Sequence, residues 1–297
     1  MLKRVREEAN LPLAAGEAND SEIAYYLNRG QDLVYLKIMQ SDQKFFEQDE
    51  LLSFVANQAE YDIPRPFRDT RITLVERLNP DGTVAGIFRR IRFQEKENWS
   101  ISTPTANTQV GVWYPRERKM GFRPVSSVNE SNAVRVYGIQ KCHDMLYFKA
   151  QSVSGSTFVI PPSTDATNML AGWNHLEIDY YKNAEFLCVS GTGVGTIVKG
   201  LSYVPTTRTL TLTAAASPIV TNDSLVLLTK IPEAYHETLI AFAVSKIAAK
   251  GPDVDRYTIA EKSFTSHMDR VAGTIEPRAM DGPEVIDYPG DEDDFLA

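Results

Sequence analysis

A chain of 297 residues, 43% hydrophobic and 24% charged, is long enough for a sizeable core and two or three modules. No apolar run approaches the ~20 residues that span a bilayer, and no apolar stretch follows the basic start at Lys3, Arg4 and Arg6 as it would in a cleaved leader. Two distant cysteines, Cys142 and Cys188, are no disulfide framework and suit a reducing compartment. The net charge of −8 is concentrated at one end: the last 17 residues carry seven acids and no Lys or Arg, which leaves −1 for the other 280. A body without a basic excess is a poor match for phosphate-driven nucleic-acid binding.

In chain order, residues 1–18, with Pro12 and Gly16 and no clear period, read as an arm. Asn19 and Glu22 have the spacing of an N-cap and its reciprocal partner. Ile23, Tyr26, Leu27, Gly30, Val34 and Ile38 then fall on one face, predicting a helix to about Met39 within a segment 19–44, with Gly30 admitting a close neighbour.

From residue 45 the pattern becomes that of strands. Ser53–Val55 and Glu60–Pro64 flank a tight turn. Residues 71–78 and 83–93 flank Asn79-Pro80-Asp81-Gly82, where Pro presets φ and Gly accepts φ > 0, and form the clearest hairpin. Val110–Tyr114, Ala133–Ile139, Met145–Lys149, Thr157–Ile160 and Leu176–Tyr181 complete a β-rich body over 45–189, sandwich or barrel-like. Residues 190–230, with strands near Ile197-Val198, Leu210–Thr213 and Leu225–Leu228, read as a small β insertion or projecting hairpin.

Helical periodicity returns at Ile231-Pro232-Glu233, where Pro and an acid suit a first turn. Tyr235, Leu239, Phe242, Ala243 and Ile247 form an apolar stripe that Lys250-Gly251-Pro252 terminates. A second helix carries Tyr257, Ala260, Phe264, His267 or Met268, and Val271, with Asp253 or Asp255 as its cap, so that 231–273 is a helical hairpin. Residues 274–297 form an extended acidic tail. The fold class expected is therefore α+β: a β-rich body flanked by an N-terminal helix and a C-terminal helical hairpin.

Little in the sequence suggests catalysis. Gly191-Thr192-Gly193-Val194-Gly195 lacks the Gly-Lys-Ser/Thr of a phosphate loop and the helix of a dinucleotide fold, so it reads as a flexible turn. His143, His175, His236 and His267 match no zinc spacing, and adjacent Cys142 and His143 would face opposite ways in a strand. There is no nucleophile elbow. Neither an enzyme activity nor a cofactor or metal is expected. Arg89-Arg90-Ile91-Arg92 and Arg116-Glu117-Arg118-Lys119 are basic clusters, read as a solvated face or, more sharply, as a rim meeting acidic tails. The tail mixes acids with apolar side chains, which is what a segment needs to order on a partner. Val285, Ile286, Tyr288, Asp291, Glu292, Asp293, Asp294, Phe295 and Leu296 are accordingly the candidate partner-binding residues.

Three stretches in order carry a resemblance: Glu60-Tyr61-Asp62-Ile63-Pro64, the tyrosine-rich Leu176–Tyr181, and Ile231-Pro232-Glu233-Ala234-Tyr235-His236-Glu237 opening a helical hairpin. The chain resembles head-to-tail connector (adaptor) proteins of tailed bacteriophages, although common adaptors are smaller and mainly helical. The resemblance implies a structural virion protein at the neck, made in the host cytoplasm. It also implies a homo-oligomeric ring, usually dodecameric, between the portal protein and a downstream tail or neck protein. Such a ring surrounds the DNA exit channel without sequence-specific nucleic-acid contacts or a membrane. The competing expectations are a carbohydrate- or receptor-binding β-sandwich using Trp99, Trp113 or Trp173, and an enzyme whose site is assembled in space.

Overall fold

The computed structural model describes residues 1–9, 19–67, 71–97, 109–214, 216, 218–251 and 254–274. The fold is α+β, with two sheets and a bundle made by the helices from both ends of the chain.

The bundle comprises α1 (Leu2–Glu8), α2 (Asp20–Ser41), α3 (His236–Ala248) and α4 (Val254–Thr274). Asn19 caps α2 as expected, accepting the Glu22 N–H at 2.8 Å. The Glu22 carboxylate, however, reaches Lys250 beyond α3. Ile23, Leu27, Val34 and Ile38 of α2 pack with Leu239, Ala243 and Ile247 of α3 and Val271 of α4. Each such side chain removed from water contributes roughly 1.5–3 kcal/mol. The close neighbour of Gly30 is a side chain: a Cβ there would sit 3.1 Å from the Phe242 ring. The expected arm is in part helix α1. Its Val5 and Ala9 are fully buried in the bundle core, and Arg6 is held to Asp20 at 2.7 Å.

The first sheet contains β1 (Glu47–Phe54), β2 (Glu60–Asp62), β3 (Ile72–Leu78), β4 (Val84–Arg90), β5 (Gln109–Arg116), β6 (Lys119–Arg123) and β7 (Glu130–Ile139). Its order is β1-β7-β3-β4-β5-β6-β2, with only β4 and β5 parallel among these pairs. The predicted hairpin is β3–β4, with Gly82 at φ +83 and its N–H on the Asn79 carbonyl. Its outermost strands, β1 and β2, are neighbours along the chain. They do not pair with each other. The Tyr61 hydroxyl instead ties β2 to the turn after β1, accepting the Val55 N–H at 3.0 Å and reaching the Gln58 carbonyl at 3.0 Å. Edge-to-face contacts among Phe54, Phe88 and Phe122 lie in this sheet's buried core, with Tyr61 packed against Phe54 and Phe122.

The second sheet contains β8 (Tyr147–Lys149), β9 (Ser152–Ser154), β10 (Thr157–Val159), β11 (Met169–Ala171), β12 (Glu185–Ser190), β13 (Ile197–Val204), β14 (Thr209–Leu212) and β15 (Ser224–Leu227). Its order is β11-β8-β15-β12-β13-β14-β10-β9. This corrects two expectations. Residues 190–230 are no insertion, because β15 lies between β8 and β12, and β14 pairs with β10. The body expected over 45–189 is thereby divided between two sheets, and the boundary lies near residue 146. Leu176–Tyr181 is a turn region, because Asp179 adopts φ +59 while its carboxylate accepts the Tyr203 N–H at 2.9 Å.

The glycine run is not a free loop either. It wraps the buried carboxylate of Asp223, which accepts the N–H groups of Thr192 (3.0 Å), Gly193 (2.9 Å) and Val220 (3.1 Å). A Cβ on Gly191, at φ +103, would collide with that carboxylate at 2.0 Å. Burial raises the Asp223 pKa, but the three backbone donors outweigh it and hold the carboxyl below its usual range.

Candidate functional site

All nine tail residues expected to bind a partner, from Val285 to Leu296, lie outside the described residues. So does Trp99. Trp113 is only 4% exposed and has the Arg90 guanidinium over its ring at 5.6 Å, so it belongs to the first sheet's core. Trp173 is 38% exposed and lies 6.4 Å from the ring of Tyr25 on α2. The second basic cluster is engaged within the molecule: Arg116 meets Glu60 at 3.2 Å, and Arg118 meets Glu177 of the second sheet's loop at 3.9 Å. His236 sits in the first turn of α3 with Nε2 3.0 Å from the Ile231 carbonyl oxygen. Among the described residues there is no His, Cys, Asp or Glu cluster able to hold a metal, and no helix long and apolar enough to cross a membrane.

The two sheets and the bundle meet where three connections converge: residues 140–146 between β7 and β8, residues 172–184 between β11 and β12, and residues 228–231 before α3. Two buried amides on the inner face of α2 pin them. Gln31 donates to the His143 carbonyl at 2.8 Å and accepts the Thr229 hydroxyl at 2.5 Å, while Asn28 accepts the Met145 N–H at 2.7 Å. Glu50 of β1 links the sheets by accepting Lys182 at 2.8 Å and the Asn183 amide at 2.5 Å.

A cleft of about 200 Å³ opens at this junction, lined in part by Gln140, Lys141, His143, Asp144, His175 and Lys182. A second space of about 310 Å³, bordered by Lys230 and Glu185, shares His143 with it. Interfaces between modules are where such sites concentrate. Asp144 holds His175 Nε2 at 3.0 Å, and the His175 ring stacks flat on Tyr180, whose hydroxyl accepts the Asp144 N–H at 3.2 Å. Burial pushes the Cys142 thiol up to about 12, so it is protonated at neutral pH and is no thiolate nucleophile. Burial also brings the Lys230 ammonium down to about 8, and it donates a hydrogen bond to the Gln140 side-chain oxygen. Gln140 is 1% exposed, and its amide nitrogen has no acceptor among the described residues.

Sequence reasoning missed this junction. The available signal was Asn28 and Gln31, two amides three residues apart on an otherwise apolar helix face, which mark buried polar contacts.

A second surface is apolar. Tyr25, Leu33 and Leu36 (55% exposed) project from α2, and the groove between Leu33, Leu36 and Phe242 is bordered by Arg29, Asp32 and Lys141. The loop at the junction also exposes Leu176 (87%) and Ile178 (65%). No protein-family model matches the chain, and no curated protein sequence matches it.

Proposed function

We propose that the chain is a structural assembly protein that works as a homo-oligomeric ring, a head-to-tail connector between the portal and the tail of a bacteriophage virion. The observation that carries this reading is the apolar stripe on the outer side of α2. Its Leu33 and Leu36 stay exposed although the same helix buries Ile23, Leu27, Val34 and Ile38 on its inner side. An amphipathic helix with a second apolar face has more hydrophobic surface than its own fold covers, and such surface marks contacts between chains. The order of elements supports the connector form of assembly, with α1 and α2 at the start and a helical hairpin at the end packing into one bundle beside the β body. The acidic tail with its apolar residues suits a partner-binding segment.

Sedimentation of the purified protein, alone and with the portal ring, tests the reading in full-length form and after truncation beyond Arg278. A ring of fixed stoichiometry that co-sediments with the portal is the expected result. Leu36→Glu should dissolve the self-association, since a charge in an apolar contact is strongly disfavoured. A monomer indifferent to both the portal and the substitution would end this reading.

A second reading, binding of a glycan receptor, is favoured by one observation, the exposed Trp173 beside Tyr25. Glycan-array binding lost in Trp173→Ala would select it.

A further inference from the structure

We propose that the outward face of the second sheet is a self-association surface, on which β12 and β13 stack against the same two strands of a second copy about a two-fold axis. The residue pattern is the starting point. An antiparallel sheet with one face in water alternates apolar and polar side chains. β14 follows that rule, with Leu210 and Leu212 in the core and Thr209 and Thr211 turned outward. β12 and β15 do not. Phe186, Cys188, Leu225 and Leu227 fill the inner face, yet the residues alternating with them are Leu187, Val189 and Val226. The register sets Tyr147, Val226, Leu187 and Ile197 side by side across β8, β15, β12 and β13, in one apolar row on the outer face. Ile197 is 56% exposed and Val189 41%. Strands that are apolar on both sides are those covered on both sides, and an apolar face left open in the single chain marks a contact with another.

The charges beside the row identify the second copy. Two residues along from Leu187 and Ile197, Glu185 and Lys199 are cross-strand partners on the same face. Both are exposed, and among the described residues neither side chain forms an ion pair or a hydrogen bond. A two-fold axis parallel to the strands, midway between β12 and β13 and in the plane of contact, exchanges the two strands without shifting them lengthwise. It therefore sets Glu185 of each copy over the partner's Lys199, and Leu187 over the partner's Ile197. Stacked sheets lie about 10 Å apart with their strands within about 30° of each other, a gap that Glu and Lys side chains span together. An axis across the strands at that level would instead set Glu185 on Glu185 and Lys199 on Lys199. A wholly acidic or wholly basic partner would match only one of the two charges, whereas a second copy supplies both complements. An isologous contact closes with two copies, so it defines a pair, and it uses no part of the α2 stripe.

The test uses the full-length chain carrying Leu36→Glu, so that association through α2 does not contribute. Sedimentation equilibrium should give a dimer, and Ile197→Glu should reduce it to a monomer. Glu185→Lys and Lys199→Glu should each weaken the dimer at least about tenfold, since each sets like charges against one another twice. Mixing these two variants should restore a dimer containing one chain of each, because only the mixed pair has opposite charges at both contacts. Thermal melting verifies that every variant stays folded, as expected for exposed side chains. A monomer in the Leu36→Glu background overturns the proposal and leaves the face to a different partner. So does a dimer that the charge reversals leave unchanged, or one that mixing fails to restore. The result is independent of the portal and of ring formation, which depends on the outer face of α2.

Discussion

The two sheets enclose comparable aromatic interiors by different means. In the first, the outermost strands β1 and β2 follow one another along the chain, and the Tyr61 hydroxyl of β2 bonds the short turn between them. The second is stitched from strands far apart in sequence, β8 against β15 and β10 against β14, and its long connections are held by a buried charge, Asp223. Local closure needs only a neutral hydrogen bond, because little chain entropy is lost in forming it. Non-local closure has to fix longer loops, and a charge-assisted contact with several backbone donors holds them more firmly. The difference gives the two sheets separate weak points.

The largest break in the comparison should come from Asp223→Ala. It leaves the N–H groups of Thr192, Gly193 and Val220 without their acceptor and should cost on the order of 3–5 kcal/mol. Hydrogen exchange resolved by peptide should show protection lost over 147–227 and retained over 47–139. Equal loss in both would mean that the sheets unfold as one unit.

Acid should separate the sheets in the same direction. The folded Asp223 carboxyl titrates below its ordinary value, so its contribution is fully present above the unfolded pKa and disappears as pH falls through the folded one. Urea denaturation between pH 5 and pH 2 should therefore show the second sheet weakening below about pH 4. In Asp223→Asn that part of the pH dependence should be gone.

Tyr61→Phe is the smaller counterpart in the first sheet. It removes one neutral hydroxyl that bridges the turn and should cost about 1–2 kcal/mol, with little change over 147–227. A loss as large as that of Asp223→Ala would contradict the distinction between local and non-local closure. The smallest effect is expected from Glu50→Gln, which weakens the contact of β1 with Lys182 and should cost about 1 kcal/mol. Its value lies in the coupling: a double variant with Asp223→Asn tests whether the junction transmits instability from one sheet to the other.

The features legible in the sequence share a short range. The Asn19 cap, the turn from Asn79 to Gly82, the α2 stripe and the stop at Lys250-Gly251 each depend on residues within a turn or two of one another, and the structure reproduces them. Leu176–Tyr181 has a strand's alternation of apolar and polar residues but forms a turn. Its conformation is decided by Asp179, whose left-handed backbone and bond to Tyr203 depend on a residue 24 positions away. The glycines at 191–195 look like flexible filler until Asp223 is placed among them. Gln140 is one polar residue among many until Lys230, 90 positions later, fixes the direction of its amide.

The sequence by itself determined the α+β class, the helical ends and the confinement of acidity to the tail. Periodicity, capping and composition are properties of neighbouring residues and need no fold to be read. Only the tertiary structure decided that strands of residues 190–230 belong to the same sheet as strands of residues 147–190, and that three connections meet at one cleft. Strand pairing and buried hydrogen bonds join residues whose separation along the chain leaves no local trace. The energies that select those partners arise only once water has been removed from between them.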